Sequence, residues 1–423
     1  MKNTMWRTGL VVALVSLLAF AVVGCSTSAE EPAQTESQEI TVMLPEWGVP
    51  TDAMLQEFQD ESGVKANVEV VAWDDIRNKI SVAAAGGQAA ADVVEVDWSW
   101  VGEFNNADWL EPLTVTSEDT ADIPSISSFT VDGKVLGIPY ANDFRVGYYN
   151  TDIYGKAGLT EPITFAEAKD QSAAIKQKGL LQYPSTMPLT AGEGTTTGLL
   201  WLTFLRDGKV FNDDNTLSKD NVLTSLRYMD SLVKDGLINP ANITQKDIDT
   251  YRQLSSGEAA FMVGPTYFVG LVENPDESKV VGQIKTIVPP GGDSKAKQTM
   301  SLTEGVGILK ASENKEAAQK FVDWYTSAAT QKQLYTDVDI LPTRTSVLTE
   351  LVNSGQIKNA DALIETAKLI KSPFPNGVPA YYSEMSPAIY NAINQMASGS
   401  LTPEQAFDEM NAKVTELAKS ASQ

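Results

Sequence analysis

Short β-like apolar runs alternate along this chain with longer stretches of helical spacing, the pattern from which α/β folds are built. Ile40 to Leu44 predicts a strand, broken by Pro45-Glu46-Trp47-Gly48. A helix is expected next, with Thr51 as N-cap, Met54, Leu55 and Phe58 on one face, and Gly63 at its end. Val64 to Val71 alternates and predicts a second strand, so strand, helix and strand form a parallel crossover. Asp74 to Ala85 has helical spacing and is closed by Gly86-Gly87. Asp92 to Val96 is a short continuous β-branched run, as in strands buried on both faces. Asp97, Trp98 and Trp100 follow at once, at the carboxyl edge where open parallel sheets bind ligands.

Gly133 to Asn150, GKVLGIPYANDFRVGYYN, reads as one strand pathway that leaves one lobe and enters another. Val135, Leu136 and Ile138 are apolar, and Pro139 rules out a central ladder position there. Asn142 and Asp143 interrupt the run before Val146, Tyr148 and Tyr149 resume it, as expected of a hinge beside a cleft or, more simply, of a turn.

Beyond it, Tyr154 to Lys178 is mostly helical, Gly192-Glu193-Gly194 is a loop, and Leu199 to Leu205 and Val222 to Val233 are amphipathic helices. Ala259 to Val263 predicts a strand and Gly264 to Phe268 its loop; Val280 to Val288 predicts another, ended by Pro289-Pro290-Gly291-Gly292. Thr299 to Ile308 carries the chain back to the first lobe, and Leu341 to Thr345 crosses a third time. Between them Ser312 is expected to cap a helix with Ala317, Phe321, Tyr325 and Ala328 on one face. The last helix has Thr402 at N-cap, Pro403 at N1, Gln405 closing a capping box, and Phe407, Met410, Val414 and Leu417 as its buried stripe.

Composition removes several chemistries. There is no histidine, and Cys25 is the single cysteine, so the folded part has no disulfide and no Ser-His or Cys-His catalysis. The net charge is −23, a field that repels nucleic acid and anionic surfaces but leaves a neutral ligand indifferent. Asp213-Asp214-Asn215 lacks calcium-loop spacing and reads as a turn, and Gly291-Gly292 lacks the Lys of a phosphate loop, so no metal or other cofactor is expected. Lys2 and Arg7 open a leader whose apolar core runs from Leu10 to Val23, short for a bilayer span. Ser26 to Gln38 is polar and offers nothing to bury.

Gly133 to Asn150 resembles the G-K-x-x-G-I-P…Y-N signature of the extracellular solute-binding proteins of ABC importers, family 1, the maltose-binding-protein-like group. Ala91 to Leu113, Ser256 to Gly270, Gly305 to Tyr325 and Leu341 to Val347 resemble further family segments in the same order, with Thr266 where the family often has Trp. VVGC, ending at Cys25, resembles a lipobox, which implies an acylated Cys25 at the start of the mature chain. The resemblance implies a two-lobed α/β fold of the type II periplasmic-binding-protein kind, each lobe a mainly parallel sheet flanked by helices, with three hinge crossings. The expected division is a signal peptide at 1–24, a tether at 25–38, an N-terminal lobe at 39–142 and 299–342, and a C-terminal lobe at 143–298 and 343–423. It also implies a monomeric, non-enzymatic receptor that holds a neutral mono- or oligosaccharide, docks on ABC permease subunits, and touches the membrane through its lipid anchor only.

A sugar site needs aromatic plates for C–H faces and planar polar groups for hydroxyls. Trp47, Trp98 and Trp100 are candidate plates in loops after strands, and Asp97, Asn142, Asp143, Glu193 and Glu304 candidate polar groups. Packing is the competing reading for each Trp, and Trp73, Trp109 and Trp324 read as core. Tyr267 or Phe268 stands where the family stacks an aromatic; Arg344 reaches either ligand or an acid across the lobes; Tyr382, beside Tyr381, is a further candidate or plain packing. The rival classes are a cell-surface glycan-binding protein and a glycoside hydrolase, since carboxylates and tryptophans line such clefts too.

Overall fold

The computed structural model describes residues 38–421; the leader, Cys25 and most of the tether lie outside the described residues. Strand β1 (Gln38–Leu44) pairs in parallel with β2 (Val64–Val70) along its whole length and with β3 (Val93–Asp97). The helix Asp52–Ser62 makes the crossover: Thr51 Oγ1 accepts from the Met54 N–H at 3.3 Å, and Gly63 ends it at φ 71°. Every residue of β3 is buried, as its apolar run requires.

Gly133 to Asn150 is three short strands rather than one pathway. Strand β4 (Thr130–Val131) and β5 (Lys134–Val135) form a hairpin turned by Asp132 and Gly133, whose φ values of 50° and 75° suit an Asp-Gly turn. Then come β6 (Ile138–Ala141) and β7 (Arg145–Asn150). Later strands are β8 (Phe261–Pro265), β9 (Ile284–Ile287) and β10 (Glu304–Ile308). The first sheet has the order β2-β1-β3-β10-β6, with β10 antiparallel to both neighbours. Pro139 thus sits on an edge strand, where its missing N–H costs no central ladder bond.

The second sheet has the order β8-β7-β9, and β7 runs antiparallel to both partners. This lobe departs from the mainly parallel sheet expected: β7 arrives directly from the first lobe, against the direction of β8 and β9. Parallel pairing enters beside it through bridges of Ser185 to Phe261 and to Ile238.

The two sheets are joined by three hydrogen-bonded crossing segments. The Asn142 N–H donates to the Leu341 carbonyl at 2.9 Å, and Asn142 Nδ2 to that of Pro342 at 3.1 Å. On the other side the Leu302 N–H donates to the Asp143 carbonyl at 2.8 Å, and Phe144 bridges Ser301. Each lobe has its own core, with Phe58, Tyr140, Phe321 and Tyr325 in the first and Tyr148, Phe268 and Leu348 in the second.

Several helix boundaries move. Tyr154 to Lys178 divides into helices Thr151–Ala157 and Phe165–Gln177, because Gly158 turns at φ 70° and Pro162 follows. The predicted loop at Glu193 is the first turn of helix Glu193–Asp207. Ser312 does not cap helix Lys315–Tyr325; its hydroxyl donates to Asp92 Oδ1 at 2.6 Å and accepts the Asn314 N–H. Ala328 opens a separate helix, Ala328–Val338, capped by Ser327. The last helix, Pro403–Ala421, has the predicted capping box, with reciprocal Thr402 and Gln405 bonds of 2.9 and 3.2 Å.

Candidate ligand cleft

Asp97 ends β3 and lies directly opposite Glu304 at the start of β10, so the two side chains share one face of the sheet. Glu95, two residues earlier, shares that face. Asp97 is 5% exposed, and its Oδ1 accepts both the Ser99 N–H, at 2.8 Å, and the Ser99 hydroxyl. Burial, then the charge of Glu304, hold the Asp97 carboxyl well above the usual carboxylate range. Burial, then Glu95, do the same to Glu304, against a smaller opposing influence from the Trp73 indole. Burial pushes Glu95 up to about 7, tempered by Glu304 and Tyr140. Glu95, Glu304, Tyr140 and the Trp73 indole form a buried group in which Glu95 faces Glu304 and the Tyr140 hydroxyl, and Glu304 faces the indole.

After Asp97 the chain tightens into a 3₁₀ turn, Trp98–Trp100, which sends its two indoles apart. Trp98 faces Phe374, with centroids 6.1 Å apart and planes at 26°, and meets the Tyr382 ring edge-on at 4.8 Å. Phe374 stacks in turn on Phe211 at 4.9 Å. The Tyr382 hydroxyl donates to Glu193 Oε1 at 2.5 Å, and Ser386 holds the other Glu193 oxygen. Burial raises the Glu193 carboxyl pKa against these two bonds. Helix Tyr382–Ala397 and helix Glu193–Asp207 pack together, so Trp98 of the first lobe meets a helical layer beyond the second sheet.

At the hinge, Arg145 Nη1 donates to both Asp143 oxygens, at 2.8 and 2.9 Å, while the guanidinium lies 3.6 Å from the centre of the Trp201 ring. Burial raises the Asp143 carboxyl pKa and Arg145 opposes it. Asp247 lies within electrostatic reach of Arg145 and against Gly194, where a Cβ would stand 1.9 Å from Asp247 Oδ2; only a glycine admits it. Tyr251 flanks Arg145 at 6.0 Å, and Tyr267, half exposed, feels both Arg145 and Asp143. Behind Arg145, Trp201 and Tyr251 is a mainly apolar cavity of about 60 Å³.

Of the candidate residues, Asp97, Trp98, Glu193, Glu304 and Tyr382 come together, with Asp143 and Tyr267 on the hinge side of the same constellation. Others are placed elsewhere. Trp100 is 5% exposed and packs on Trp73 and Phe104 at 5.0 and 5.9 Å, in the core of its own lobe. Phe268 is fully buried among Tyr148 and Tyr251, leaving Tyr267 as the aromatic at the surface of that segment. Arg344 spends its donors on Asp119 at 2.7 Å, Asp122 at 3.4 Å and the Thr326 carbonyl at 2.8 Å, so it pairs with acids of the first lobe. Asn142 is 6% exposed and holds the hinge. Trp47 is 49% exposed, in the turn Glu46–Gly48 after β1. Asp214 accepts from Thr216 within a tight turn, as its spacing suggests, and no group of three or more His, Cys, Asp or Glu residues poised to hold a metal occurs among the described residues.

Arg145, Trp201, Asp247 and Phe374 were missed. Arg145 lies two positions after Asp143 on a strand entry, a spacing that puts both on one face and was the available signal. Nothing local marks the other three, which reach the cleft by tertiary packing.

The model for "bacterial extracellular solute-binding protein" matches residues 44–332. A maltooligosaccharide ABC transporter solute-binding lipoprotein of Streptococcus pneumoniae (strain ATCC BAA-255 / R6) is 25% identical over 89% of each chain. A Sinorhizobium fredii chain, described as a probable amino-acid ABC transporter periplasmic-binding protein, is 23% identical over 92% of this chain and 91% of its own. Among solved structures, the sugar-binding protein MalE of Xanthomonas citri superposes with a TM-score of 0.78 at 21% identity, covering 90% of this chain and 98% of its own.

Proposed function

Because the chain belongs to the bacterial extracellular solute-binding proteins, in the two-lobed type II fold, we propose that it is the receptor of an ABC importer, capturing a small carbohydrate between its lobes and delivering it to the membrane permease. The observation that carries this reading is the constellation at the cleft. Trp98 and Tyr382 supply aromatic surface from opposite lobes, and buried carboxylates beside them supply acceptors for hydroxyls. Contacts to both lobes exist together only when the lobes meet, so ligand favours that state. A small oligosaccharide fits aromatics spread along the cleft from Trp98 to Tyr267, and the maltooligosaccharide relative supports it.

In this reading residues 39–142 with 299–342 make one lobe and 143–298 with 343–423 the other. The protein acts as a monomer on the outer side of the cell membrane, anchored through acylated Cys25. Binding, not bond cleavage, is the activity. A calorimetric screen against mono-, di- and trisaccharides is the test: a one-to-one complex with at least one sugar, recovered unchanged, is expected. Shorter sugars after incubation, or no complex across the panel, would overturn it. For the anchor, Cys25→Ala should abolish lipid labelling, and persistent labelling rules Cys25 out.

A further inference from the structure

We propose that two copies of this chain associate through the outer edge of β2, paired antiparallel about Asn67 into one continuous sheet. The inference is independent of the ligand. Each copy keeps a complete cleft, and pairing is a further, concentration-dependent state of the monomer.

Strand β2 stands at one end of the first sheet, so one side of its backbone has no neighbouring strand. Two bonds show which groups face that side. The Val71 N–H donates inward to the Leu44 carbonyl at 3.0 Å, whereas the Val64 N–H donates away from β1, to the Ser62 hydroxyl at 3.0 Å. By the two-residue alternation of a strand, Lys65, Asn67 and Glu69 bond to β1, while Ala66, Val68 and Val70 turn their N–H and carbonyl groups outward. Among the described residues no hydrogen bond reaches those outer groups. An open edge of seven residues is a template for another strand.

Its side chains are complementary to themselves. Turned end for end about Asn67, the edge meets its own copy with Lys65 opposite Glu69, Ala66 opposite Val68 and Val64 opposite Val70. Opposite charges then face each other at both ends, and Ala66 and Val68 exchange the backbone bonds that a single chain leaves unmade. The neighbouring registers set Lys65 or Glu69 against Asn67 and lose both ion pairs. In the single chain these charges make only surface pairs, Lys65 with Glu39 and Glu69 with Lys79, which cost little to rearrange. The apolar surface agrees. Val70 and Val82, at 56% and 75%, are the most exposed large hydrophobic residues among those described, and both line a groove of about 700 Å³ between β2 and helix Trp73–Ala85. A two-fold axis normal to the sheet keeps the helices of both copies on one face, so the two grooves meet at the seam and give these valines a partner surface.

Sedimentation equilibrium of the full chain in density-matched detergent is the test, at a salt concentration that screens charges beyond about 8 Å. Monomer and dimer should exchange dominance between roughly 10 μM and 1 mM. Lys65→Glu and Glu69→Lys should each weaken dimerisation roughly tenfold or more, because either one sets like charges opposite each other at both ends of the seam. Mixed in equal amounts, the two variants should associate as tightly as the parent, since their altered positions then face each other. Where melting shows either variant unfolded, Val68→Pro takes its place: it removes only an outward N–H and should abolish association. A parent that stays monomeric throughout, folded single variants that dimerise like the parent, or a mixture of folded variants that fails to recover would each overturn the proposal.

Discussion

Trp98 and Trp100 are two positions apart and equally buried, yet they do different things. In an extended segment they would share a face; the 3₁₀ turn sends one to Tyr382 and the other to Trp73. We expect Trp98→Ala to lower ligand affinity by about 2–4 kcal/mol, or roughly 30- to 1000-fold, as for a central aromatic anchor. Trp100→Ala should instead lose about 3–5 kcal/mol of unfolding stability, with normal affinity in the folded fraction. Melting and calorimetry on both variants check this, and the reverse pattern would exchange their roles. Strand β3 and the turn that follows it were legible because a buried run is written in consecutive residues. The direction of each indole was not, because a one-turn change of backbone state leaves no periodic trace. Arg344 illustrates the same limit: its type announced a bidentate partner, but Asp119 and Asp122 lie more than 200 positions away.

At the scale of elements, the two central strands β3 and β10 carry acids where their neighbours are apolar. Glu95 has a folded pKa of about 7 against an ordinary 4.5, so the fold prefers its protonated form. Its contribution is fully present below pH 4.5 and is lost as pH rises through 7, an effect of roughly 3 kcal/mol at most. Asp97 and Glu304, raised too, act in the same direction. Glu95→Gln, which mimics the protonated side chain, should therefore melt higher than the parent at pH 8, with the difference shrinking toward pH 5. Parallel melting profiles of the two proteins across that range would remove Glu95 as the titrating group. A second element-level device is the clamp of Arg344 on helix Ser117–Asp122. Arg344→Ala should cost about 2 kcal/mol of stability, between exposed and buried pairs, and leave ligand affinity unchanged in the folded protein. Reduced affinity at full folding would return Arg344 to the ligand. The strand content was legible from the apolar runs; the antiparallel second sheet was not, because strand direction there follows from the hinge rather than from any local pattern.

For the whole molecule, the order of the crossings was legible from five loosely matching segments, whereas the closeness of the lobes was not. Gly102, in helix Val101–Asn106, shows that closeness: a Cβ there would lie 2.0 Å from the Val378 carbonyl oxygen and 2.8 Å from the Pro379 carbonyl carbon. That backbone leads into helix Tyr382–Ala397, so the glycine is the point at which the first lobe admits it. Gly102→Val should hold the lobes apart, giving a larger radius of gyration by small-angle scattering and at least tenfold weaker binding with unchanged helix content. A parent-like radius and affinity would show that the contact relaxes locally.

The hinge has a mechanical consequence. Three crossing segments bonded edge to edge form a narrow strip of sheet through residues 301–303, 142–144 and 341–343. Such a strip resists stretching and sliding in its own plane, because either would break several hydrogen bonds at once, but it bends across that plane with little loss. A lobe opening about such a strip would be confined to a single rotation, with the same alignment restored on each closure. In the proposed receptor such a strip would act as a caliper, whose angle at rest on a ligand would be set by the ligand's thickness.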